Sequence, residues 1–226
     1  MLQDFNKMKT YVVEGTDGTI GTVADVYFND QTWNVQYVAV NTGNWLEGRH
    51  LLIAKECLSA LKRETSAYPA SVSHAQAKAS PEFEINQPLS WGKEREICSF
   101  YRWSAYYPIN ENEMSVFPGI LTSTNGLKDF SLLANDGEIG KVVNFIVDDT
   151  DLLLRYFVVD TAKWLAGRKV LISPMWGKSI NWTEQLIEVD VSKESIQESP
   201  EYDSLVPIDQ VYEVSLYEHY GKPQYW

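Results

Sequence analysis

The stretch "TGNWLEGRHLLI", Thr42–Ile53, returns as "TAKWLAGRKVLI", Thr161–Ile172. Working outward at that offset of 119 residues, Asp17–Ile53 lies on Asp136–Ile172 without a gap, and 15 of 37 positions are identical. Agreement of this density at one fixed period marks a duplicated module. The register continues, with "SPEFE" (Ser80–Glu84) over "SPEYD" (Ser199–Asp203) and Pro88 over Pro207. At the aromatic-rich ends, "ICSFYRW" and "VSLYEHY", a slip of two residues is expected. The join falls near Glu111–Gly126, a segment rich in turn formers, which gives two modules, 1–113 and 114–226.

Each module begins as β structure. Asp17-Gly18 and Asp136-Gly137 are hairpin turn signals between a first strand ("TYVVEG" in the first copy) and a second ("TIGTVADVYFN", "EIGKVVNFIVD"). Gly21 and Gly140 lie inside those second strands, where glycine marks a bend or a close backbone approach. The third strands, "WNVQYVAVN" and "LLLRYFVVD", are apolar on both faces: Tyr37 and Ala39 against Val38 and Val40, then Tyr156 and Val158 against Phe157 and Val159. A barrel buries its inside only, so helices or another module must cover the outer face. A short fourth strand follows, and "INWTEQLIEVDV" adds more β structure. Ser73 with Gln76 forms a capping-box pattern ended by Pro81, matched by "SKESIQESP". Trp91–Trp103 and Ile208–Tyr220 read as amphipathic helices with aromatic faces, and Gly221 as a C-terminal stop.

Composition excludes several classes. The net charge is −12, divided as −4 over residues 1–119 and −8 over 120–226. Both halves repel phosphate backbones and anionic membrane surfaces, so nucleic-acid binding is not expected. No run reaches the roughly 18–20 apolar residues of a membrane span. The start lacks a basic segment followed by an apolar one, so no signal peptide and a cytoplasmic location are expected.

The two copies also control each other, because a catalytic or metal site belonging to the module should occur twice. His50 meets Lys169, His74 meets Lys193, and His219 has no histidine counterpart. No His-x-His or His-Glu-x-x-His spacing occurs, so no metal is expected. Cys57 and Cys98 form no Cys-x-x-Cys pair. Phosphate-binding glycine loops and the Gly-x-Ser-x-Gly elbow are missing, so no nucleotide cofactor and no serine-hydrolase chemistry are expected. The paired carboxylates Asp17/Asp136, Asp30/Asp149, Glu82/Glu201 and Glu84/Asp203 fall in turns and at a helix end, where capping accounts for them.

What remains is Trp45, Leu46, Gly48 and Arg49 with their twins Trp164, Leu165, Gly167 and Arg168. They have two readings. One is a recognition surface, since Trp and Arg are enriched at binding hot spots. The other is a loop between strands three and four, with Trp and Leu plugging a barrel end, Gly permitting the turn and Arg pairing with a carboxylate of its own module.

The phrase "DGEIGKVVNFIVDD…RYFVVDTAKWLAGRKVLISP" resembles a PRC-barrel domain, more strongly in the second copy than in the first. Such barrels occur in the cytoplasmic part of the photosynthetic reaction centre H subunit and in a ribosome maturation factor. The tail "SKESIQESPEYD…YEHYGKPQYW" is similar to an extension of stand-alone bacterial PRC-barrel proteins. The resemblance implies a mainly β protein with accessory α structure: two tandem small antiparallel barrels, each followed by short helices, related by a pseudo-twofold. It implies a non-enzymatic interaction or assembly module with a protein partner, and homo-oligomers are compatible with it. The alternatives are a ligand-binding protein or enzyme with a pocket between the modules, and a factor that binds a ribosomal protein.

Overall fold

The computed structural model describes residues 1–108, 119–161, 165 and 167–226. The expected module boundary at 113/114 and Trp164 lie outside the described residues. The chain opens with a three-residue strand, β1 (Leu2–Asp4), and one helical turn, α1 (Phe5–Met8). There follow β2 (Val12–Gly15), β3 (Gly18–Asn29), β4 (Val35–Asn41), β5 (His50–Ala54) and β6 (Ala67–Pro69), then helices α2 (His74–Ala79) and α3 (Trp91–Tyr101). The second repeat runs β7 (Leu121–Ser123), α4 (Thr124–Leu127), β8 (Ser131–Ala134), β9 (Gly137–Asp148), β10 (Leu153–Asp160) and β11 (Lys169–Ile172). It ends with β12 (Gly177–Asn181), β13 (Leu186–Val189), α5 (Lys193–Glu198) and α6 (Gln210–Tyr220). Among the described residues no helix is long and apolar enough to cross a membrane.

Two compact units form, and they differ from the two sequence halves. One contains Asn6–Gly126 with Thr150–Leu153; the other contains Met1–Phe5, Leu127–Asp149 and Leu154–Trp226. The leading strands have changed places. β1 pairs with β9 in the second-repeat unit, Leu2 opposite Asp148 and Asp4 opposite Ile146. β7 pairs with β3 in the first-repeat unit, Leu121 opposite Asn29 and Ser123 opposite Tyr27. The two registers are the same at the 119-residue offset. Sequence reading placed β7 in the turn-rich join and missed both strands.

The first-repeat sheet has the order β5-β4-β3-β2-β6, and the second β11-β10-β9-β8-β13-β12. Among the described residues the strand pairings leave both sheets open. They are not wholly antiparallel: β2 runs parallel to β6, and β8 to β13.

β4 is buried on both faces, as its composition requires. Tyr37 and Ala39 pack in one cluster with Ile97 and Cys98 of α3 and with Leu89, Tyr107 and Leu121. The helical tail is therefore a cover for the third strand, one of the two expected covers. In the second-repeat unit Tyr156 of β10 meets Tyr217 of α6, ring centroids 6.5 Å apart. The Ser73/Gln76 capping box forms, and a second one forms at Ser192/Ser195. α3 and α6 begin and end 119 residues apart, at Ser90/Asp209 and at left-handed Arg102/Gly221, so the expected slip does not occur.

Gly21 and Gly140 show why the second strands need glycine. A Cβ on either would stand 2.0 Å from a backbone oxygen, that of Asn41 or Asp160. Both are backbone atoms of the paired strand and cannot swing aside. Gly21→Ala and Gly140→Ala are each expected to cost about 1–3 kcal/mol through forced backbone shifts. Urea unfolding measures this; an alanine variant as stable as wild type would refute the close-approach account.

Candidate functional site

The described residues of the twice-used phrase make the same bonds in both units. Gly48 (φ +72°) and Gly167 (φ +76°) occupy the left-handed region that a side chain would strain. Buried Thr42 donates its hydroxyl to the Arg49 carbonyl at 2.8 Å, and Thr161 does the same to Arg168 at 2.7 Å. These bonds pinch the loop shut and aim the arginine at the following helix. Arg49 donates from Nη1 to the Lys78 carbonyl at 3.1 Å and from Nη2 to that of Ser80. Arg168 donates in the same way to the carbonyls of Gln197, at 2.6 Å, and Ser199. These are terminal carbonyls of α2 and α5, which have no partner within the helix. A guanidinium there supplies both the fork and the charge that a helix C-terminus favours.

Arg49 also meets the expected carboxylate of its own module, its Nε 3.8 Å from the exposed Glu82, while the two terminal nitrogens of each arginine bond to backbone oxygens, which was not expected. Trp45 does not plug an end. Its side chain is exposed at 38% while its indole N–H donates to the Ile20 carbonyl at 2.6 Å. The ring meets His74 edge-on at 4.7 Å. Leu46 and Leu165 are half-buried, and their carbonyls accept the Arg49 and Arg168 amides. Asp17 accepts the His74 amide at 2.8 Å and its Nδ1 at 2.9 Å, and Asp136 accepts the Lys193 amide. The His74 amide is the main reason that the Asp17 carboxyl titrates below its ordinary value. Arg168→Lys replaces a two-toothed contact by a point charge. A loss of about 1–2 kcal/mol is expected, since a hydrogen bond to a charged group contributes about that much. A variant with unchanged thermal midpoint but lost partner binding would make the arginine a recognition residue instead.

A buried pair that sequence reading missed also occurs twice. Tyr37 donates its hydroxyl to Glu94 of α3, and Tyr156 donates to Glu213 of α6 at 2.6 Å. Glu94 is completely buried. It also accepts the backbone amides of Tyr106 at 2.5 Å and Tyr107 at 3.2 Å, which fastens the segment after the helix. In the second-repeat unit the Tyr225 hydroxyl, 2.8 Å from Glu213, does that work. The assumed slip concealed this pair: with the register kept, Glu94 falls on Glu213.

A cavity adjoins each pair. In the first-repeat unit it measures about 480 Å³ and is lined by Tyr37, Cys57, Trp103 and Tyr106, with Glu56 and Arg102 among its polar groups. The equivalent cavity, about 470 Å³, is lined by Trp176, Tyr217 and Tyr225, with Lys178, Asp190 and Lys222. At the repeat offset Cys57 replaces Trp176 and Cys98 replaces Tyr217, so the two cavities share a place but differ in wall chemistry. Burial pushes both thiols above their ordinary range, which disfavours the reactive thiolate. Among the described residues no three His, Cys, Asp or Glu side chains gather to hold a metal. The histidines stay apart: His50 stands opposite Asn41 on β5, and His219 contacts the Ser195 carbonyl at 2.5 Å.

Burial outweighs the hydrogen bonds at Glu94 and raises its carboxyl above the usual range. The folded state then holds a proton that the unfolded state releases near pH ~4. The contribution of Glu94 to stability is therefore full below that pH and is lost as pH rises through the folded value. Glu94→Gln should make this decline shallower. Urea midpoints taken between about pH 4 and 7 test it; parallel curves for variant and wild type would count against the assignment.

Residues 9–61 match the PRC-barrel domain family, so the chain carries a PRC-barrel domain there. The match falls on the first repeat, from the segment before β2 through β5 to Leu61. No curated protein matches the chain.

Proposed function

We propose that this PRC-barrel protein is a non-enzymatic interaction module that docks a basic protein partner through its second repeat. One observation carries this. Leu205, Val206 and Val211 are 89%, 60% and 76% exposed, on the turn into α6 and its first residues. The first repeat has Asn86, Gln87 and Gly92 at the same positions. Apolar side chains left in water on one copy and polar ones on the other mark a surface adapted to contact. The charge of −12 supports a basic partner, because complementary charge steers encounter. A ribosomal protein is one partner of that chemistry.

The repeated polar side chains support the same conclusion: Arg49, Arg168, Tyr37 and Tyr156 bond inward to their own unit. A second reading, a small-ligand site, is favoured by the first-repeat cavity, where Cys57 stands in place of a tryptophan. To test the main reading, a partner identified by affinity capture is purified and titrated calorimetrically. Leu205→Asp with Val211→Asp should weaken binding at least tenfold, about 1.4 kcal/mol, with the thermal midpoint retained. Unchanged affinity would sink the proposed surface, and binding abolished instead by Cys57→Trp would favour the cavity.

A further inference from the structure

The exchange of leading strands poses a selection problem. β1 and β7 share length and register, and each acceptor strand offers the same backbone ladder, so backbone pairing alone fits either strand to either slot. The side chains at the end of each strand do not. On β1, Asp4 accepts the Asn144 amide nitrogen at 2.7 Å with one oxygen and the Tyr202 hydroxyl at 2.9 Å with the other. On β7, Ser123 and the adjoining Thr124 are donors. Asp25, completely buried, accepts the Thr124 hydroxyl, the Thr124 amide at 3.1 Å and the Asn125 amide at 3.3 Å. The Ser123 hydroxyl also bonds to this carboxyl.

At the repeat offset three of these positions correspond, while Thr124 falls on Phe5. Asp25 falls on Asn144, Phe83 on Tyr202, and Ser123 on Asp4. A β1 strand seated in the first-repeat slot would bring Asp4 against the completely buried Asp25, and would find a phenylalanine ring in place of the tyrosine hydroxyl. Phe83 already lies there, its ring 5.9 Å from Tyr27. A buried like-charge contact is costly, and so is a carboxylate stripped of donors. A β7 strand in the second-repeat slot would leave Asp25 without its hydroxyl donors. We infer that each slot is addressed to one strand: the second-repeat slot, with Asn144 and Tyr202, takes a strand that ends in a carboxylate, and the first-repeat slot, with Asp25, takes one that ends in hydroxyls. The partner of each slot is the other repeat's leading strand, chosen by polar matching at three positions.

The experiment uses the full chain. Asn144→Asp writes the forbidden acid–acid contact into the native arrangement, and its thermal midpoint should fall by roughly 5–10 °C. Adding Asp4→Ser removes the acid–acid contact and supplies the counterpart of the Ser123 hydroxyl, and should restore most of that loss. Adding Glu218→Gln instead, which removes one negative charge from an exposed position on α6, should restore little. If Asn144→Asp fails to fold, the two double variants decide: folding recovered by Asp4→Ser alone supports the address. An Asn144→Asp protein as stable as wild type, or a rescue by Asp4→Ser no better than by Glu218→Gln, would overturn it.

Discussion

A strand that is apolar on both faces cannot stand at the surface of a small sheet, and β4 and β10 impose that constraint on everything around them. Each needs a lid, and α3 and α6 supply it. The lid must be fixed in angle as well as pressed down, and the phenol on the strand does this. A buried tyrosine hydroxyl needs an acceptor, and a buried glutamate needs donors. Placed face to face, Tyr37 with Glu94 and Tyr156 with Glu213 satisfy each other and set the helix on the strand. The glutamate's remaining capacity holds the segment beyond the helix, by backbone amides in one copy and by a tyrosine hydroxyl in the other. The arginine loops do the corresponding work for α2 and α5. Both devices convert unsatisfied polar groups into fixed geometry.

Local features of this chain are legible in its sequence. Asp-Gly turns, the Ser73–Gln76 box, Gly221 in the left-handed region and the glycines at 21 and 140 obey rules that span only a few residues. The doubled apolar faces of the third strands announce a cover because period-two alternation is broken there. Contacts across long separations are harder to read. The tyrosine–glutamate pair spans 57 residues and was hidden by an assumed slip in register. Arg49 and Arg168 bond to carbonyls, which carry no side-chain identity to search for. The leading strands are three residues long, too short for alternation to register. One signal was present: Leu2, Asn6 and Lys9 recur as Leu121, Asn125 and Lys128 at the same offset, which extends the repeat upstream of its obvious start.

The two copies have diverged unevenly. Side chains that hold the fold together recur, while the walls of the equivalent cavities and the turn before the last helix have changed. Cys57 and Cys98 stand where Trp176 and Tyr217 fill space, and Asn86 and Gln87 stand where Leu205 and Val206 meet water. A duplicated scaffold lets one copy keep a soluble turn while the other acquires a sticky one at no cost to either core.

The exchanged strands also govern the order in which this chain can be finished. Residues 2–4 are made early, yet their place on β9 exists only after residue 148 has been synthesised. The first-repeat sheet likewise waits for Leu121–Ser123. Closing such long loops costs entropy before the contacts return it, and folds dominated by distant pairings form slowly. During translation the β3 edge stays open, an exposed ladder of the kind on which neighbouring chains can dock. The exchanged strands thus leave a vulnerable interval while the chain is still being made.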